Sequence, residues 1–227
     1  MDKIIFLDIE TDGKYKIIQI SYIITCSKLK VLSSHNHFLN DGSDAIDYYK
    51  KITIDFIKDN GKHPSIVLKE VAKNLEECST IVGHNIGFDI GKLQGYFNYY
   101  KINYKIPENI YDTMHKSKDI VKALNVKGQI KYPKLQELGN YYGIVNNNAH
   151  DGLSDVMVTY ECYKNLINNN KLEELEELEE QRNHYKQSLI EYYPVHDDSL
   201  LIHSFEGEDI LGLMEKTKSQ YRYRMWV

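Results

Sequence analysis

A mixed α/β fold, an open sheet with helices packed on it, is what this 227-residue sequence predicts. Three observations predict it. Apolar runs rich in β-formers crowd the N-terminal segment; helical periodicity then alternates with a short apolar run; and a long periodic, charged segment follows.

Lys3 to Leu7 reads as a buried strand, closed by the turn residues Asp12-Gly13. Ile17 to Ile24 is the second strand and Val31 to Leu39 the third, near enough to one another to form an antiparallel meander. Pro64 to Leu75 is helical, because Ile66, Val67, Val71 and Leu75 recur on one face. Thr80 to Gly83 is a short buried strand, Phe88 to Tyr100 a helix and Leu135 to Tyr142 a shorter one. In the helix from Gly152 to Ile167, Leu153, Val156, Met157, Tyr160 and Tyr163 form one stripe. The asparagine triplets at 146–148 and 168–170 read as loop ends without chemical meaning.

From Lys171 the composition shifts. Leu172, Leu175, Leu178, Tyr185 and Leu189 repeat on a roughly 3.5-residue period among glutamates. An amphipathic helix ending at Pro194 is expected, packed on the body of the protein or on a partner. The expected division is therefore a domain over 1–170 and a C-terminal extension over 171–227, an acidic helix plus a short tail.

Composition excludes several classes. With 28 basic and 33 acidic residues the net charge is −5, which argues against gripping nucleic acid or anionic membrane through bulk charge. At 42% hydrophobic and 27% charged, the chain is expected to be globular and soluble. Cys26, Cys78 and Cys162 are odd in number, far apart and not in a metal spacing. They argue against a disulfide framework or a zinc site and for a reducing, cytoplasmic setting. The first apolar run is too short for a signal peptide, and no run is long enough for a membrane span.

The carboxylates carry the chemistry. Asp8 and Glu10 end the first strand, and residues i and i+2 of a strand share a face. Two like charges at a buried strand end repel and are costly to desolvate. A divalent cation removes both costs; a polar strand end facing solvent is the plainer alternative. Asp89 falls in the first turn of the helix after the fourth strand, where it could equally serve the helix dipole. Asp155 lies about one turn into the Gly152 helix, and His150 precedes that helix on a loop. Four carboxylates suffice to hold two divalent ions, and a histidine can take a proton from water. Metal-assisted phosphodiester hydrolysis is the reaction class that uses all five.

Leu7-Asp8-Ile9-Glu10-Thr11-Asp12-Gly13, His84-Asn85-Ile86-Gly87-Phe88-Asp89, and His150 with Asp155 resemble the three motifs of the DEDDh superfamily of 3′→5′ exonucleases. That superfamily includes the proofreading subunit of bacterial DNA polymerase III and the ribonuclease T and oligoribonuclease groups. The resemblance spans about residues 1–170 in motif order, and Tyr111-Asp112-Thr113 with Leu135-Gln136-Glu137-Leu138 extends it. His150 lies five residues before Asp155, and Asp151 occupies the place of the tyrosine variant's Tyr, which indicates the histidine subtype.

The resemblance implies a ribonuclease H-like fold and Mg²⁺- or Mn²⁺-dependent release of nucleoside 5′-monophosphates from 3′ ends. Asp8, Glu10 and Asp155 would hold one ion, Asp8 and Asp89 would bear on a second, and His150 would be the general base. Thr11 with Ile9 beside it, and His84 and Asn85, are the expected contacts to the terminal nucleotide; taken as residues alone, His84 and Asn85 suit bonds to neighbouring backbone better than contact with substrate. There are departures. Lys50-Lys51-Ile52-Thr53 stands where many members carry His-Gly-Ile-Thr, and Gly152 and Val156 replace alanines.

The expected substrate is the 3′ end of single-stranded DNA. Residues 92–134 hold nine basic and three acidic groups together with Tyr96, Tyr99, Tyr100, Tyr104, Tyr111 and Tyr132. Cations beside aromatic faces suit single strands, although a lysine-rich surface over core tyrosines has the same composition. An RNA substrate, and a catalytically silent binding module attached to a polymerase or another replication protein, are the alternatives.

Overall fold

The computed structural model describes residues 2–12, 15–42, 52–146, 149 and 151–192. β1 (Lys3–Thr11) runs further than its apolar core predicts. β2 (Ile17–Cys26) pairs with it antiparallel throughout, with Lys3 opposite Cys26 and Glu10 opposite Gln19. β3 (Val31–Phe38) pairs antiparallel with β2, completing the meander. α1 (Ile54–Asn60) was not foreshadowed by periodicity, and it buries no residue; the Thr53 hydroxyl caps it by accepting from the Phe56 N–H at 3.1 Å. α2 (Pro64–Glu76) starts on a proline, which costs a helix nothing at its first turn, and buries Val67, Leu68, Val71 and Leu75. Ile66, expected on the same face, is 60% exposed.

β4 (Thr80–Gly83), α3 (Ile86–Tyr99) and β5 (Asn109–Asp112) follow, with β4 parallel to both β1 and β5. The short helices α4 (Thr113–Lys116) and α5 (Lys118–Val121) lead to α6 (Leu135–Tyr141) and α7 (Gly152–Tyr192). The sheet order is β3-β2-β1-β4-β5. The expected loop end at 168–170 is absent, since α7 continues through all three asparagines. Asparagine in a helix costs less than about 1 kcal/mol per residue. Here the Asn169 side-chain amide also donates to the Tyr142 hydroxyl at 2.9 Å.

The chain divides into two compact units, Met1–Lys171 and Leu172–Val227. In the second, residues 177–184 are helical and exposed, Leu178 among them. The side chains of Leu172, Leu175, Tyr185 and Leu189, and Pro194, lie outside the described residues.

In the first unit both faces of the sheet are covered. Strand alternation sends Ile5, Leu7, Ile20 and Tyr22 to one face, against α2 and α3. Ile4, Phe6, Ile23 and Val82 go to the other, against Val156, Tyr160 and Tyr163 of α7. Met157 leaves the expected stripe and is 40% exposed. Val158, Cys162 and Leu166 instead form a second buried row against Leu138 of α6. Helical periodicity cannot separate one broad stripe from two rows that meet different partners. Cys26, Cys78 and Cys162 are free thiols. Among the described residues no helix is long and apolar enough to cross a membrane.

Phe6 anchors α7, meeting Tyr160 and Tyr163 edge-on with ring centroids 5.2 Å away in each case. Phe6→Ala should destabilise the protein by about 3–5 kcal/mol, as core aromatic truncations do. Urea unfolding of the two proteins measures this.

Candidate active site

β1 outruns β4. The last parallel pair is Phe6 with Val82, so the strand beyond it needs another partner on that side. Asp89, in the first turn of α3, supplies one: the Ile9 N–H donates to its Oδ1 at 3.0 Å. The chain can turn sharply from β4 into α3 because Asn85 adopts a left-handed conformation (φ 66°), which asparagine tolerates. Asp112, at the end of β5, holds that turn by accepting from the Asn85 N–H at 3.0 Å. At Gly83 an added Cβ would lie 2.9 Å from the Leu7 carbonyl, so β4 needs glycine to approach β1 here.

Asp8 and Glu10 project toward α7. Asp8, Glu10 and Asp155 offer ligand oxygens that lie within 4.8 Å of one another. Asp8 and Asp155 are half-buried, Glu10 is buried, and Asp89 is 4% exposed. Burial, with the Asp8 charge second, holds the Asp89 carboxyl well above the usual carboxylate range, and the bond from Ile9 opposes this. An oxygen-only donor set of this charge fits hard divalent cations.

α7 reaches the cluster across a small polar floor. Ser21 and Gln19 are buried opposite Asp8 and Glu10, and Asn36 accepts from both, at 3.0 Å and 2.8 Å. A Cβ on Gly152 would come within 2.7 Å of the Ser21 hydroxyl, which gives the glycine at this motif position a steric reason. The Asn146 amide donates to Asp155 Oδ1 at 2.6 Å and its carbonyl accepts from the Ser154 hydroxyl at 2.8 Å. Asn146 therefore orients a cluster member, correcting the expectation that its triplet has no chemical meaning. Its distance of nine residues from Asp155 follows no helical or strand period, so nothing in the pattern marked it.

The remaining expected residues divide. Thr11 is half-buried at the strand end, beside an irregularity in the β1–β2 register, and Asn85 is exposed. The Ile9 side chain is buried in the α2 face of the core. His84 is engaged on both ring nitrogens: Nε2 donates to the Pro133 carbonyl at 3.0 Å, and Nδ1 lies 3.1 Å from the Thr113 hydroxyl. Burial pushes its pKa below the ordinary value. His150, Lys50 and Lys51 lie outside the described residues.

A mixed five-stranded sheet flanked by helices, with an acidic cluster at the end of its central strand, is the arrangement of a ribonuclease H-like fold. The chain belongs to the Exonuclease family (RNase_T), whose sequence model matches residues 5–163. No curated protein matches it. Among solved structures it resembles product-bound exonuclease I at 18% identity and a TM-score of 0.64, covering 84% of this chain and 48% of that one. Ligand-free exonuclease I gives 18% and 0.64, with 85% and 47% covered. E. coli exonuclease I with a dA16 oligonucleotide gives 18% and 0.60, with 71% and 40% covered. The likeness is one of fold, and this chain spans less than half the length of those proteins.

The raised Asp89 pKa has a consequence for metal-free protein. The folded state keeps the Asp89 proton to higher pH than the unfolded chain does. Its stability contribution is therefore present below the ordinary carboxylate range and is lost as pH rises through the raised value. Asp89→Asn removes that loss. In EDTA at pH 7 this variant should melt higher than the parent, and the gain should shrink toward pH 4. Thermal melts at both pH values measure it.

Proposed function

We propose that this chain is a two-metal 3′→5′ exonuclease that removes nucleoside 5′-monophosphates from single-stranded DNA. The observation that carries this assignment is the convergence of Asp8, Glu10 and Asp155 within 4.8 Å, with the buried Asp89 close enough to Asp8 to feel its charge. Asp8, Glu10 and Asp155 would hold one Mg²⁺ or Mn²⁺, and Asp8 and Asp89 would bear on a second. Such ions supply positive charge to the phosphate oxygens and acidify water. His150, just ahead of the helix that carries Asp155, takes the proton from the attacking water, since imidazole titrates near neutral pH. Thr11, the backbone at Ile9 and the exposed Asn85 flank the terminal nucleotide. His84 acts from behind, holding the β4–α3 turn.

α3 also supports a single-stranded substrate. A groove of about 580 Å³ beside it is lined by Tyr15, Lys92, Tyr96, Tyr99 and Tyr100, among others. Lys92 lies over the Tyr15 ring at 5.0 Å and the Phe88 ring at 5.5 Å, and Tyr99 is 80% exposed. Exposed rings beside a cation stack bases and attract phosphate without reading sequence. DNA is favoured because E. coli exonuclease I has been seen with dA16 and dT13 oligonucleotides. A zinc-bound form of its single-stranded DNA complex supports divalent metal at the carboxylates. Another of its structures includes SSB, which favours a replication protein over a polymerase as partner. The cytoplasm is the assigned location, in keeping with the three free thiols.

Asp8→Ala should abolish shortening of a 5′-labelled single strand in Mg²⁺ or Mn²⁺ while leaving circular dichroism unchanged; retained shortening removes the metal assignment. His150→Ala should slow turnover by roughly 10²–10⁴ with substrate binding kept, the range for a lost general base. An unchanged rate takes His150 out of the mechanism. Parallel assays on single-stranded DNA, duplex DNA and RNA test the substrate, and faster loss of RNA overturns the DNA assignment.

A further inference from the structure

The face of the sheet that carries Asp8 is not the only one with clustered ligands. His35 and His37 stand two residues apart on β3, opposite Tyr22 and Ile20 of β2, and so project to the α2 face. Glu70 of α2 reaches over them. Its Oε1 lies 3.1 Å from His35 Nδ1 and 3.3 Å from His37 Nε2. All three residues offer ligand atoms within 4.8 Å of one another. Two ligand atoms on a tetrahedral zinc, with bonds of about 2.0–2.1 Å, stand about 3.3–3.4 Å apart. Both separations from Glu70 are already close to that edge length.

The surrounding side chains keep the ligands in place. Tyr22 stacks on the His35 ring with centroids 4.4 Å apart and planes 10° from parallel. Its hydroxyl lies 3.4 Å from Glu70 Oε1 and accepts from the Asn74 amide at 2.8 Å. A second observation points to a ligand. The His37 side chain is 10% exposed, and apart from its 3.3 Å approach to Glu70 Oε1 its Nε2 has no hydrogen-bond partner among the described residues. A buried polar nitrogen left in this way costs stability unless something occupies it. Lys62 also bears on His37, a positive charge that opposes cation binding. Glu70 is 42% exposed, which leaves room for water as a fourth ligand.

We propose that His35, His37 and Glu70 form a second metal site, for zinc or a divalent ion of similar borderline character, that clamps the edge strand β3 to α2. The cysteine count argues against zinc only where thiolates are the ligands. Two imidazoles and a carboxylate suit zinc, whereas the all-oxygen cluster at Asp8 suits magnesium or manganese. The two sites therefore sort metals by donor chemistry.

The test must silence the carboxylate cluster first, because zinc can enter it. Untagged full-length protein carrying Asp8→Asn and Asp155→Asn is stripped with EDTA, dialysed and titrated with zinc chloride against a chromophoric chelator. One tight equivalent should bind and raise the melting temperature. Adding His35→Gln and His37→Gln should weaken that equivalent by more than about 100-fold, since even the loss of an outer-shell partner costs 10–100-fold. Glu70→Gln in the same background, a change at a half-exposed position, should weaken it as well and covers the case in which the histidine variant fails to fold. Cobalt in place of zinc should give the visible absorption of a tetrahedral site, lost on the histidine substitutions. Equal zinc affinity with and without His35 and His37, or no tight equivalent in the background protein, overturns the proposal.

Discussion

Electrostatic repulsion among carboxylates at the end of β1 is the constraint around which the exonuclease-family domain is built. Asp8, Glu10, Asp155 and Asp89 come from three elements, and desolvation penalises the ionised form of each in proportion to its burial. The fold answers in two ways. Backbone and amide donors take up individual oxygens, as Ile9 N–H does for Asp89 and Asn146 for Asp155. The polar floor of Gln19, Ser21 and Asn36 replaces apolar packing beneath the first turn of α7. What these donors leave is concentrated negative charge, which stabilises a bound cation and destabilises the protein without one. An arrangement that works against the metal-free fold belongs to function, since packing alone would have replaced it.

β1, β2, β4 and the principal helices were legible because a strand buried on both faces has a short, continuous apolar signature and a packed helix has a period. Their ends were not. β1 runs past Glu10 to Thr11 because β2 pairs with it there, and pairing is a tertiary fact. The acidic members of the site were legible for a related reason: charge at the end of an apolar strand contradicts the local rule, and such contradictions mark functional positions. Asn146 contradicted nothing, and its role appears only when the loop folds back on Asp155. His84 is a different case. Its motif position suggests substrate contact, yet both its nitrogens serve the protein, locking the β4–α3 turn to the segment around Pro133.

Aromatic content was the least informative signal, because tyrosine serves cores and surfaces equally. Of the tyrosines in the basic stretch, Tyr104 stacks on Phe97 at 4.6 Å and Tyr111 meets Tyr163 edge-on at 4.8 Å, both tied to the core clusters. Tyr96 spends its hydroxyl accepting from the Ile17 N–H at 2.9 Å, which fastens α3 to the start of β2. Tyr99 and Tyr132 are the rings left to solvent, at 80% and 47% exposure.

The basic residues divide in a similar way, and this changes what the charge of the stretch means. Lys105 pairs with Glu108, and Lys131 pairs with Glu137, so part of the positive balance is consumed locally. The exposed Lys105–Glu108 pair contributes little to stability, and screening by salt weakens it further. Lys92 is different, because it donates to the Tyr15 carbonyl and lies over the Tyr15 and Phe88 rings, on the same helix as Asp89 and about one turn from it. A net charge of −5 therefore does not oppose a nucleic-acid substrate. Long-range attraction is unnecessary for a protein that engages only a strand end, provided a cation stands near the acidic cluster, as Lys92 does about one turn from Asp89. That short distance, fixed by α3, links the place where the strand would lie to the place where it would be cut.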